Sequence, residues 1–539
     1  MKHKKTSTIN SDVLVSLYNS LVKAVIFPIF VTILTSCLSG PAIDLAPEYK
    51  TPKYVVPDSW HGSGPFVKAK PSEGKLRPDW WKLYKDPVLN KLEKEAMKVN
   101  PKLEAAAERF NQARYEMLKV RSQLIPNIGL GIGGSNNKQS SDSLFRGIGE
   151  PNRESTVSVA GLASWEPDFW SKIRNRTKMQ IYNAEQLAAE YSLVRLSLQA
   201  ELASDYFTLR GLDAQDAMYS LSIKYYKKTQ DIVKKRFSTG IVPKLDVLRA
   251  NYMLANTKAK RLDIQNKRQV TLHAIAILVN RSPSTFSIKP KDKLLVANFK
   301  IPTKLPATLL ERRPDIAAME RQMAQANRSI GIAKAAFFPN VSFGANGGYE
   351  AISHLFSASH SFWSYGSLVS LPFFQGGYRR AQLQKSWSAY RETEDLYRST
   401  VLNAFREVEN ALTQTNFLSK QAKQQDIAVD AALKTQDMTM ELYKGGLGNS
   451  LDILYAQETT LAARINAITV KTDLLRATTA LIRALGGGWN RNQLPVDDEI
   501  QPMDIFQYRK LGKPKPAGHT NVNAEDNSVH NNLTKPISK

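Results

Sequence analysis

Cysteine occurs once in these 539 residues, at Cys37, so the chain can form no intramolecular disulfide and no thiol cluster. Long apolar runs are missing too. No segment beyond Cys37 holds 18 consecutive apolar residues, which excludes a transmembrane helix there and leaves strands as the means of crossing a bilayer. Signatures of chemistry are also lacking. The seven histidines include no HExxH and no metal-ligand spacing, His354 and His360 fall in a polar loop, and no P-loop is present. Gly129, Gly131 and Gly134 satisfy GxGxxG, but they lie inside an alternating strand pattern followed by a polar loop, where a nucleotide fold needs a helix. No catalytic residue, metal site or cofactor is therefore assigned. Acidic residues are outnumbered, with Lys+Arg 74 against Asp+Glu 49 and a net charge of +25. The basic residues are scattered without a dense block or a nucleic-acid motif, so no nucleic-acid partner is expected.

What is present begins with an export signal. Met1 to Lys5 carry three lysines, and Ala24 to Leu34 form an uncharged apolar stretch of 11 residues, too short to span a bilayer as a helix. The stretch ends in Leu34-Thr35-Ser36-Cys37, which resembles the lipobox of bacterial lipoproteins: an apolar residue, two small ones and a cysteine whose sulfur takes a diacylglycerol. A multiply acylated cysteine holds a domain on a membrane, at about 0.8 kcal/mol per buried methylene. Leu38 follows, where Asp resembles an inner-membrane retention signal; its absence favours the outer membrane.

The remainder is a duplication. Gln112-Ala113-Arg114 to Pro126-Asn127-Ile128 is echoed by Gln325-Ala326-Asn327 to Pro339-Asn340-Val341 at an offset of 213, and Arg236 to Ala250 by Leu442 to Ala456 at an offset of 206. Two matches at nearly equal offset make each copy a structural unit of its own. In the first copy Pro101 to Ile125 reads as helix. Ile128, Leu130 and Ile132 then alternate with glycines, and Val157, Val159, Gly161, Ala163 and Trp165 share one face. The second copy repeats this with Val341, Phe343 and Ala345, then Trp363, Tyr365, Val369 and Leu371. Four stretches of about ten residues with one apolar face fit membrane-spanning barrel strands or a soluble sandwich, and the strands alone do not decide between them. The loops between them are expected at Ser135 to Arg153 and Glu350 to Ser361.

From Lys172 to Thr239 run 68 residues with no proline and one glycine, Gly211; Tyr378 to Lys444 give 67 with neither. Unbroken, each is a helix of roughly 100 Å at 1.5 Å per residue, and such a length requires a coiled-coil-like partner. Pro101 to Ile125 and Ile241 to Asn280 together nearly match the first long helix, as Pro314 to Phe337 and Leu447 to Leu485 match the second. Each long helix is expected to lie against two shorter ones in series. Strands stand at one end of this rod, and tight turns at Gly240 and at Gly446 to Gly448 close the other.

The specific motifs follow. Leu309-Leu310-Glu311-Arg312-Arg313-Pro314-Asp315-Ile316, then Glu320-Arg321-Gln322 and Ile330 to Pro339, resemble the signature of TolC/NodT-type outer membrane factors, a group of outer-membrane efflux lipoproteins of NodT/OprM type. Trp80-Trp81-Lys82-Leu83-Tyr84-Lys85-Asp86-Pro87 resembles the opening of the same family, and the similarity runs from about Trp80 to Trp489. The resemblance implies a mainly α fold with a small membrane β-barrel: long coiled-coil-like helices form a periplasmic tunnel, and four strands per chain close a trimeric barrel. It implies a homotrimer in outer-membrane lipid, working with a periplasmic adaptor (membrane fusion protein) and an inner-membrane transporter as a passive exit duct. The alternative is an exported coiled-coil scaffold lipoprotein without a pore. The expected divisions are a lipoprotein signal at 1–36, a lipidated segment at 37–79, the first repeat at 80–300, the second at 301–490, and a disordered tail at 491–539.

Residue roles follow from the same reading. Cys37 is the lipidation site. Thr239, Gly240, Gly446, Gly448 and Asn449 form the tip that docks the adaptor. The resemblance places an acidic gate just after the second-copy turn, with Asp452 matching its first residue and Tyr455 departing from its second. In the first copy Asp246 has Arg249 at i+3 to neutralise it, whereas Asp452 has Tyr455. Arg313 and Asp315 read as helix-start residues around Pro314, and Trp80 and Trp81 as packing residues.

Overall fold

A computed structural model describes residues 42–52, 78–138, 140, 153–294, 312–351, 355–495 and 500. The signal at 1–36, Cys37, Leu309 to Glu311, His354 and residues 501–539 lie outside the described residues. Seven helices and four strands carry the fold among them. In chain order they are α1 (Pro87–Val99), α2 (Pro101–Arg121), β1 (Asn127–Lys138), β2 (Arg153–Trp165), α3 (Lys172–Ser238), α4 (Lys244–Leu278), α5 (Pro314–Ala335), β3 (Asn340–Ala351), β4 (Ser361–Ser370), α6 (Tyr378–Lys444) and α7 (Ser450–Ala484).

Local chemistry sets the boundaries. Three helices start with proline at N1, where its missing N–H costs nothing, and Asp86 and Asn100 accept hydrogen bonds from the first-turn amides of α1 and α2. Asn100 also donates from Nδ2 to Leu278 O at 2.8 Å, tying the start of α2 to the end of α4. Ile125, before Pro126, is already extended, which turns the chain from helix to strand. Helices α4 and α7 begin a turn later than their composition implies, because Pro243 and Asn449 stand extended at their N-caps.

The strands form one antiparallel sheet in the order β1-β2-β3-β4. Its register puts Ile128 opposite Ala163, Leu130 opposite Gly161 and Ile132 opposite Val159, and continues the same face through Tyr349, Trp363 and Tyr365. That face is apolar. The other carries Gly129, Gly131, Ser158, Asn346, Ser364 and Gly366, mostly small or polar residues, interrupted by Leu162, Phe362 and Leu368. Strand β1 continues through Lys138 and β3 through Ala351, past the expected loop starts at Ser135 and Glu350. Polar residues there stay in the ladder because the opposite strand supplies every backbone partner, and Ser135 Oγ meets Thr156 Oγ1 at 2.8 Å.

Helix α3 packs against α2 and α4 of its own copy, as its length requires, and also against α5 and α7 of the second copy. Helix α6 packs against α5 and α7 and leaves Leu396, Leu402, Phe417, Ile427, Met438 and Leu442 exposed. The one glycine in α3 marks its crossing with α7: a Cβ on Gly211 would lie 2.3 Å from Thr472 Oγ1. Around the middle of α3, Trp80, Trp81, Tyr84 and α1 bury themselves against Leu202, Tyr206, Ile275 and Leu481. Tyr84 Oη bonds Thr478 and Thr479 at 2.9 and 3.0 Å. The two tryptophans are core residues.

One expectation is corrected. The chain from 491 is not a bare tail, since Arg491–Gln493 form a turn and Ile500 is fully buried beside Phe110 and Met117. A few apolar residues in a polar segment suffice once a preformed helix face covers them.

Candidate functional site

At the end of the bundle away from the strands, two helical hairpins turn. Gly240 takes φ +75°, with its N–H on Phe237 O and the Ile241 N–H on Arg236 O at 2.8 Å. Gly446 takes φ +82°, with its N–H on Tyr443 O and the Leu447 N–H on Leu442 O at 2.9 Å. Both are glycine-terminated helix ends, in which left-handed backbone satisfies the last carbonyls. Thr239 Oγ1 closes onto Lys235 O, and Gly448 lies so near Tyr443 that a Cβ would sit 3.3 Å from its backbone nitrogen. Thr239, Gly240, Gly446, Gly448 and Asn449 thus belong to one tip, although more than 200 residues separate its halves.

Arg236 joins them, a residue the sequence did not mark. Its Nη2 donates to Tyr443 O at 2.7 Å, capping the end of α6, and its guanidinium stacks 4.2 Å from the Tyr443 ring centre. Beneath this contact Val233, Tyr443 and Ile453 bury one another. Burial pushes the Tyr443 phenol above its usual pKa, against the opposing pull of Arg236. No local pattern signals this role, because the partner lies at a distance of 207 residues.

Asp246 and Asp452 occupy the same place, the third residue of α4 and of α7. Asp246 meets Arg249 Nη1 at 3.5 Å, with its side chain 12% exposed. Asp452 is exposed; its backbone N–H donates to Asn449 Oδ1 at 2.8 Å, and among the described residues its carboxylate has no ion-pair partner. Tyr455, 70% exposed, stands one turn on. With Leu245, Leu248 and Tyr252 from α4 and Leu451 and Leu454 from α7 it lines an open hollow.

Other residues singled out by sequence lie away from the tip. Arg313, 7% exposed, bonds both Asp315 oxygens at 3.0 and 2.6 Å, Glu407 at 2.9 Å and Ala484 O at 3.0 Å, so it fastens the start of α5 to α6 and to the end of α7. His360 ends a short turn before β4. Among the described residues no group of three or more His, Cys, Asp or Glu side chains could hold a metal, and no helix is long and apolar enough to cross a membrane.

Comparison with known proteins agrees with this geometry. The family described as outer membrane efflux protein matches residues 92–281 and 305–487. The pyoverdine export outer membrane protein OpmQ of Pseudomonas aeruginosa is 25% identical over 86% of this chain and 97% of its own. Outer membrane protein OprJ of the same organism is 26% identical over 86% of this chain and 96% of its own. Among solved structures, the outer-membrane channel OprN is similar with a TM-score of 0.77 and 26% identity, covering 82% of this chain and 99% of that one. The two matched segments, the apolar-faced sheet and the long paired helices together place this chain in the outer membrane efflux protein family.

Proposed function

We propose that this chain is the passive exit duct of a tripartite efflux or secretion assembly, with no chemistry of its own. The observation that carries the reading is the four-stranded sheet, apolar on one face and mostly small or polar on the other, with β1 and β4 at its edges unpaired among the described residues. Open edges cannot stand in lipid, where every unmet backbone group costs several kcal/mol, so the sheet must close with other copies. Three chains of four strands make one barrel, and the exposed face of α6 meets the neighbouring copy below it. The apolar face is then turned to lipid and the glycine-rich face to the lumen. A scaffold lipoprotein has no use for such a sheet.

The energy for transport comes from the inner-membrane transporter, reached through a periplasmic adaptor at the tip. Cys37 carries the lipid. Ile43, six residues on, donates its N–H to Phe169 O between β2 and α3, so the described chain after the cysteine begins beside the end of the sheet. The gate is Asp452: three unpaired carboxylates around a trimer axis form an anionic constriction that attracts cations. A second reading is favoured by the Asn449 cap, namely that Asp452 only complements the positive helix end, worth about 0.3 to 1 kcal/mol. Conductance in planar bilayers separates the two. Asp452→Asn is expected to weaken cation selectivity and block by multivalent cations, and Asp246→Asn to do much less because Arg249 already neutralises it. Unchanged conductance and block in both variants would assign Asp452 to the helix start and leave the duct without this gate.

A further inference from the structure

The signature residues Glu320 and Arg321 lie far from the tip and from the strands, and nothing in the duct function uses them. Glu320 is 2% exposed, yet its carboxylate is fully engaged. Tyr49 Oη donates to Glu320 Oε1 at 2.8 Å and stands 3.1 Å from Glu320 O. Arg491 Nη2 meets Oε2 at 2.9 Å, as does Arg321 Nε, and Arg321 Nη1 reaches Glu185 of α3 at 2.8 Å. Tyr49 belongs to the segment that precedes the duplicated fold and Arg491 to the one that follows it. A single buried side chain on α5 therefore holds a segment from either side of the duplicated fold.

The N-terminal segment is a fitted strap. Asp44 accepts from Asn175 Nδ2 on α3 at 2.9 Å and pairs with Arg328 Nη1 on α5 at 3.0 Å, bridging the two repeats. Ala46 rests on Gly331, where a Cβ would fall 2.8 Å from the Ala46 Cβ and 3.0 Å from its backbone nitrogen. Only glycine admits the strap. The C-terminal segment lies beside it, with Trp489 buried against Ala189, Ala317 and Ala318. Burial, and the Glu320 carboxylate next to it, hold the Tyr49 phenol in its protonated, donating form.

We infer that Glu320 is a clasp that makes docking of the N-terminal strap and of the C-terminal segment mutually dependent, closing the seam between α3 and α5 from outside. When the strap leaves, Glu320 Oε1 loses its donor, and when the C-terminal segment leaves, Oε2 keeps only Arg321; either departure lets water reach the carboxylate and screens the contact that remains. Coupling of this kind is reciprocal, since each segment must change the docking equilibrium of the other by the same factor.

Hydrogen exchange of the full-length protein measures it on two peptides, 42–52 and 489–495. Gly331→Val expels the strap without touching Glu320. It is expected to speed exchange in 42–52 and, through the clasp, in 489–495 by about fivefold or more, the lower range of allosteric coupling. Tyr49→Phe removes one hydroxyl and should act the same way on both peptides, so it decides the matter should the valine variant fail to fold. Arg491→Gln is expected to accelerate 42–52 as Tyr49→Phe accelerates 489–495. Acceleration confined to the segment that each substitution releases would overturn the clasp.

Discussion

Glu93 of α1 shows what a single buried residue does to stability. It lies on the buried face of α1 with Leu89, Leu92 and Ala96, is 0% exposed, and neither carboxyl oxygen has a hydrogen-bond partner among the described residues. Burial alone pushes its pKa well above the ordinary carboxyl value, so the folded protein holds it as the neutral acid. The folded state then binds a proton that the unfolded chain has released. Stability from this group is intact below its ordinary pKa and is lost as pH rises toward the folded value, by at most about 1.4 kcal/mol per pH unit. Glu93→Gln stays neutral at every pH. Its melting temperature is expected to match the native protein near pH 4 and to exceed it increasingly toward pH 8; parallel profiles would show that Glu93 ionises in the folded state. Nothing in the sequence marks Glu93, one acid among the charged residues of a short helix. Arg313 was partly legible, because Pro314 and Asp315 announce a helix start, but Glu407 and Ala484 lie 94 and 171 residues away and only folding brings them to it.

At the scale of elements the sequence is most informative where periodicity is long. The absence of glycine and proline places α6 at Tyr378–Lys444 without error, and Lys172–Ser238 differs from expectation by one residue. The β strands were legible because an apolar face alternates with a mostly small or polar one, most cleanly in β1 and β3. Ends were less legible, since caps at Pro243 and Asn449 and ladder partners across β1 and β2 decide them. The turns were visible as glycines, but not the Arg236 contact that fixes one against the other. The proposal that the adaptor docks at these turns predicts a division of effects. A bulky side chain such as tryptophan at Thr239 or Asn449 is expected to abolish export while trimer and membrane insertion persist, because Thr239 is exposed and loss of the Asn449 cap costs only about 1 kcal/mol. Export that survives both substitutions combined would move the docking site away from the tip.

For the whole molecule, the duplication explains both the likeness of the two halves and their one large difference. Helix α3 is enclosed by α2 and α4 of its own copy and by α5 and α7 of the other, whereas among the described residues α6 at the end of the second copy packs chiefly against α5 and α7. A tandem repeat closed into a ring resolves the difference, with the next chain's first copy covering α6 as the second copy covers α3. The same ring joins β4 to the next β1. In the proposed duct, membrane attachment rests on two independent devices, the lipid at Cys37 and the closed barrel, and the two can be separated. In its own signal, Cys37→Ser is expected to block processing at Ser36-Cys37 and leave the precursor heavier by 36 residues. Carried instead on a signal that is cleaved without lipidation, the mature chain should still fractionate with the outer membrane and resist extraction by carbonate or urea, because a closed barrel buries its apolar face whether or not an acyl chain helps. Release of that unlipidated chain by the wash would mean that lipid alone holds the protein, that the apolar face of the sheet is covered by something other than bilayer, and that no pore crosses the membrane.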